Sequence, residues 1–441
     1  GLIGKGTSAP TFGIDVASDS GLSGMAIGSL TADASSTAGA ATATAGKDDL
    51  ATGALLPSLK VGGISDLTGA AQLDSSATAS NVGAAADTVP DLGATALAGQ
   101  GQSVTGLTTG LGGKLNAASP AAPDKANVVS GTDFSSTPFN IDVASDSNLT
   151  AQGFNNLDAS ASSTAGDAEA AAGYTNAADA SVTGIASGMS IDVGGVSNLM
   201  AQAQGTADSS ASSVTGLAQS DSGMDAMGIA DLQMNVSSDS DLSSTSAVIG
   251  SADGESTSGA ATADIDFDAT GINGIDMNIG GIGTLASTAS VNGSSDATNV
   301  GRDGLDADAT GDLDATGLNA AHLFSSSDGD VSGIATIAGS INAESTAGDG
   351  LADGDFDADG ITSLEMGAGG LFDLAGQAQV NADVSASSVS GTADAFSGVI
   401  TGNSTSSTIK GLSAIEADGA SDGTILGTAF GDFSTSAEST G

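Results

Sequence analysis

The chain has 441 residues, with 66 glycines, no cysteine, no tryptophan and aromatics at 3%. Its 53 acidic against 7 basic residues leave a net charge of −46, which excludes phosphate-neutralising contact with nucleic acid and attachment to an anionic membrane surface. The missing cysteines exclude a thiolate nucleophile or metal site, and no apolar run approaches the roughly 20 residues of a membrane span.

In chain order, residues 1–11 read as a lead-in segment. The chain begins at Gly1 rather than Met, which fits removal of an upstream segment and hence secretion. Residues 12–100 hold two related units and include Ala41-Thr42-Ala43-Thr44-Ala45, whose period of two marks a strand. Residues 101–138 interrupt the pattern with Pro120, Pro123 and Pro138, and read as a loop, a hinge or a degenerate repeat. Residues 139–402 carry six more units. Residues 403–441 are a Ser/Thr-rich segment that leaves the pattern and reads as a tail or cap.

The units recur roughly every 43 residues, a period characteristic of repeat arrays. Each is anchored by one apolar residue, from Leu22, Leu67, Leu149 and Leu199 through Leu242, Leu285, Val331 and Leu374. Six positions earlier stands a Val or Ile in six units, giving way to Ser325 and Ala368 in the last two. Fifteen positions after the anchor Thr and Val take turns, usually followed two residues later by Gly. Apolar–x–Gly is a strand end entering a turn. With glycine and serine frequent throughout and no sustained 3.6-residue stripe, helix is not expected to dominate. The expected fold is all-β, a repetitive β-solenoid of the right-handed parallel β-helix kind. A β-sandwich or β-prism of duplicated units is the alternative. One unit makes one large coil or two coils of about 21 residues.

The units also alternate in type. Ala17-Ser18-Asp19, Ala144-Ser145-Asp146 and Ser237-Ser238-Asp239 take turns with Gly62-Gly63-Ile64, Gly194-Gly195-Val196 and Gly280-Gly281-Ile282. Strands stacked in parallel lie about 4.8 Å apart. Interleaving an aliphatic residue doubles the spacing of like charges and makes a one-unit slip costly.

Catalytic material is sparse. His322 is the one histidine and has no recurrent partner, and no Gly-x-Ser-x-Gly elbow stands between strand and helix. The expectation is a protein that is not an enzyme. Acidic pairs are the more pointed feature. Counting back from Gly271, Gly317 and Gly360, three units carry Asp266 and Asp268, Asp312 and Asp314, and Asp355 and Asp357, each pair flanking Phe267, Leu313 or Phe356. In-register stacking would align six carboxylates, and hard cations such as Ca²⁺ take oxygen ligands of this kind. These six are the candidate metal residues, with Ca²⁺ the candidate ion. Asp355 to Gly360 also resembles the start of an EF-hand loop, departing from it at Ile361 and Glu365.

The Gly/Ala/Ser/Thr/Asp composition and segments such as Ile141-Asp142-Val143-Ala144-Ser145-Asp146-Ser147 resemble bacterial secreted β-solenoid proteins: adhesin stalks, autotransporter passengers and biofilm-matrix fibres. The resemblance implies an extracellular or cell-surface structural subunit of a fibre, sheath or matrix. Copies would assemble through their repeat ends, with the chain itself as main partner and a matrix or cell-surface polysaccharide as another. A surface adhesin or a carbohydrate- or ice-binding module is the alternative.

Overall fold

The computed structural model describes residues 13–37, 40–46, 49–55, 58–82, 94–99, 102–108, 139–164, 166–173, 180–186, 188–301, 304–397 and 407–440. These residues form strands and turns, with no helix among them. The strands build two parallel sheets, one of nine strands and one of sixteen. The chain is a parallel β-solenoid, and the antiparallel sandwich is excluded.

Nine strands of 17 residues stack to make the first sheet: Ser20–Ser36, Ser65–Asn81, Ser147–Ser163, Ser197–Ser213, Ser240–Ser256, Gly283–Asn299, Gly329–Ser345, Phe372–Ser388 and Gly423–Ser439. We number the rungs one to nine by these strands. All eight sequence anchors occupy one row of the ladder, from Leu22 opposite Leu67 to Val331 opposite Leu374. The second sheet closes each rung. In rungs four to seven it is a single 19-residue strand: Ala218–Val236, Ala261–Ile279, Ala307–Ser325 and Gly350–Ala368. In rungs one to three it is split into three shorter strands, and in rung eight into Ala393–Ser397 and Ile409–Gly419. One unit of about 43 residues is therefore one coil with two long sides, which settles the choice between one coil and two.

Two sequence boundaries shift. Ser103–Thr108, read as part of the interruption, is a strand of rung two, in register with Ser181–Ile185 of the next rung. The remainder of that segment, 109–138, lies outside the described residues, as does the lead-in 1–11. The described part of the segment 403–441, residues 407–440, does not leave the ladder. Within it Ile409–Gly419 pairs with rung seven, and Gly423–Ser439 forms rung nine with Ile425 opposite Leu374. Its anchor stands 51 residues on from Leu374, close to the 50 residues between rungs three and four.

Side-chain parity follows from the pleat, with alternate residues facing in and out. Inward positions are filled mostly by Ala, Val, Leu, Ile and Met, and 0% of Phe267, Leu313 and Phe356 is exposed. The interior divides into two apolar cores, and glycine draws the line between them. Gly228, Gly271, Gly317, Gly360 and Gly411 form one column of the second sheet. A Cβ at Gly271, Gly317 or Gly360 would lie 2.5–2.6 Å from the carbonyl oxygen of the next glycine. At Gly317 and Gly360 it would also stand 2.7 Å from the backbone nitrogen of Ile334 or Gln377 on the facing sheet. The two backbones nearly touch along this line, so only glycine fits. Ser244 Oγ donates across it to the Gly271 carbonyl at 2.6 Å, and Ser287 Oγ likewise to that of Gly317.

Candidate functional site

Rungs five to seven place the six acidic residues where the sequence expects them. Asp266 stands opposite Asp312 and Asp312 opposite Asp355, while Asp268, Asp314 and Asp357 form a second row. The intervening Phe267, Leu313 and Phe356 point inward and anchor the strands in the core. All six carboxylates therefore share the outer face of the second sheet. The rows extend further than the sequence reading: Asp225 continues one beyond Asp268, and Asp221, Asp264 and Asp353 occupy a neighbouring row with Thr310. Thr310 Oγ1 donates to Asp264 Oδ1 at 2.5 Å.

Parallel in-register pairing forces this crowding, and the acidities show it. Asp314 is pushed up to about 8, first by burial and then by Asp268, Asp312, Asp357 and Asp355. Burial followed by neighbouring aspartates lifts Asp266, Asp268 and Asp312 to about 6. Asp355 is also raised, by burial and then Asp357. Rung eight closes the patch: Thr408 N–H donates to Asp357 Oδ1, Ser407 Oγ to Asp355 Oδ1 at 3.4 Å, and Lys410 lies 3.5 Å from Asp359. Among the described residues no three acidic or histidine side chains converge as ligands of one metal ion. The ladder is a line of charge spaced at the strand repeat, not a closed cage. Asp355 to Gly360 lies within a continuous strand, so the EF-hand loop is not formed. His322 sits in an outward row between Asp276 and Glu365, its Nε2 4.0 Å from Glu365 Oε2.

The sequence alternation has a second cause besides charge spacing. At the corner leading into the first sheet, Asp19, Asp146, Asp239 and Asp328 each accept, through Oδ1, the backbone N–H of the aliphatic residue one rung on: Ile64, Val196, Ile282 and Leu371, at 2.8–2.9 Å. The residue before that aliphatic is Gly63, Gly195, Gly281 or Gly370, where a Cβ would fall on the same carboxylate oxygen. Aspartate rungs thus require glycine rungs after them. At the trailing corner a serine does the stitching. Ser256 Oγ accepts Gly259 N–H at 2.8 Å and donates to the Gly216 carbonyl of the previous rung at 2.9 Å, and Ser213 and Ser388 repeat the arrangement. These corner bonds were missed in the sequence, although Asp opposite Gly-Gly was their visible trace.

No protein family matches this chain, and neither a curated protein nor a solved structure does.

Proposed function

We propose that this chain is a non-enzymatic structural subunit of an extracellular fibre, sheath or matrix, assembled from copies of itself. One observation carries the reading: nine strands of equal length stack in unbroken register, with the same aspartate corner bond renewed at every second rung. Such an array resists extension along its axis and offers backbone edges to further strands. The outer strand Gly423–Ser439 is exposed along its whole length and carries exposed Ile425, Leu426 and Phe430, which suits contact with the Ser20–Ser36 edge of another copy. Extracellular placement and matrix polysaccharide as a second partner follow from the resemblance to secreted β-solenoid proteins. The acidic rows act in this reading as a surface for divalent cations, Ca²⁺ first, lodged between rungs to offset self-repulsion.

Deleting residues 403–441 tests the end contact. Assembly measured by light scattering should be lost while the strand signal in circular dichroism stays. Equal assembly by the shortened chain would refute end-to-end contact.

A further inference from the structure

Both edges of the first sheet carry a column of exposed aliphatic side chains. At the leading corner these are Ile64, Val196, Ile282 and Leu371; at the trailing corner, Val82, Val214, Val300 and Val389. They are 37–66% exposed. Burial does not explain them, and neither does the corner bonding, which uses only the backbone N–H of the leading column.

Their spacing is the informative part. Each column has one member every second rung, about 9.6 Å at the parallel strand repeat. Both columns fall on the same rungs, two, four, six and eight, at the two ends of one 17-residue strand. On the rungs between, the leading corner carries Asp19, Asp146, Asp239 and Asp328, and the trailing corner Thr37, Thr164, Thr257 and Thr346. A surface that touches all four members of either column must repeat at the same distance. The opposite edge of a second copy does so without rotation or shift along the axis.

We propose that these edges are a lateral interface between copies of this chain, the leading corner of one lying rung for rung against the trailing corner of the next. Aliphatic residues then meet aliphatic residues, and aspartates lie beside threonine hydroxyls. The crowded acids of the second sheet's outer face stay off the contact, and the aspartates of the leading corner face threonines and not a second row of carboxylates. The strip is narrow. At rung spacing its length is about 38 Å and its area about 400 Å² a side, half that of an ordinary stable interface. A single pair is therefore weak, and the contact accumulates in a row of solenoids.

This rests on the self-assembly reading above but not on end contact. The absence of native cysteine makes a direct test simple. Ile282→Cys and Val300→Cys chains, of the same rung, are mixed under mild oxidation. The mixture should give disulfide dimers at more than about tenfold the yield of either variant alone, since only matched edges bring the two Cα atoms within bridging distance. Pairing Ile282→Cys with Val214→Cys, two rungs away, should fall to the background. Adding Val300→Asp to the Ile282→Cys chain should lower the mixed yield while circular dichroism stays unchanged. Equal yields from single and mixed samples, or none from a folded mixture, would overturn the proposal. Edge dimers without filaments would sink only the end-contact reading, and filaments without edge dimers only this one.

Discussion

Asp239 shows how one residue sets the identity of another 43 positions away. Its carboxylate takes the Ile282 N–H at 2.8 Å, and Gly281 leaves the room for it. Asp239→Ala should cost about 1 kcal/mol, the net worth of one such bond. Gly281→Ala should cost about 1–3 kcal/mol, because its Cβ would meet the Asp239 carboxylate and the backbone of Ser238 and force the corner to shift. Combined, the two should cost less than their sum, with a coupling of about 0.5–3 kcal/mol in a double-mutant cycle by urea unfolding. Additive losses would mean that the carboxylate and the glycine are unrelated.

Among the elements, the glycine column holds the sheets at their closest approach. Gly317→Ala should cost about 1–3 kcal/mol as overpacking, and Phe267→Ala about 3–5 kcal/mol by leaving a cavity at a fully buried site. The acidic rows set the response to pH. Asp314 lies near 8 and Asp266, Asp268 and Asp312 near 6, against 3.8 in the unfolded chain. The folded state therefore binds protons that the unfolded chain releases. The stability they contribute is fully present below about pH 4 and is lost as pH rises through 6 to 8. Melting midpoints should climb as pH falls from 8 towards 5, and Asp314→Asn should raise the midpoint at pH 8 and flatten the rise. A midpoint that falls over this range would show that the rows are not strained. The corners pull weakly the other way: Asp349 is held below 3.8 by the backbone N–H and hydroxyl of Thr392.

Much of this was legible in the sequence. The anchor row, the inward Phe267 and Phe356, and the alignment of Asp266, Asp312 and Asp355 follow from period and parity, because a parallel ladder turns equal spacing into adjacency. Other features were not. Gly271, Gly317 and Gly360 stood out as landmarks, yet nothing in their own strand says that a second backbone passes 2.7 Å from where a Cβ would be. Rung nine was concealed by its residue types, with Phe433 standing opposite Ala382 and Gly431 opposite Val380.

At the scale of the whole molecule, charge opposes the compact state and assembly supplies the function proposed. Millimolar Ca²⁺ should raise the melting midpoint more than NaCl at matched ionic strength, most of all at pH 8, and Asp→Asn at the six ladder positions should erase the difference. Equal effects would reduce the ladder to a solvated acidic face. The end joint has one visible weak point. Asp422 repeats the position of Asp328, but the Ser20–Ser36 edge of another copy is preceded by Ala17 and Ser18 in place of the glycine pair that follows an aspartate rung. Ser18→Gly should therefore lengthen any filaments.

Electron microscopy of the concentrated protein tests the central claim most directly. Filaments one solenoid wide are expected, with the strand repeat of about 4.8 Å running along their axis, or rows of solenoids side by side, with that repeat running across the row. Separate particles of single-chain size at every concentration, with and without Ca²⁺, would contradict it.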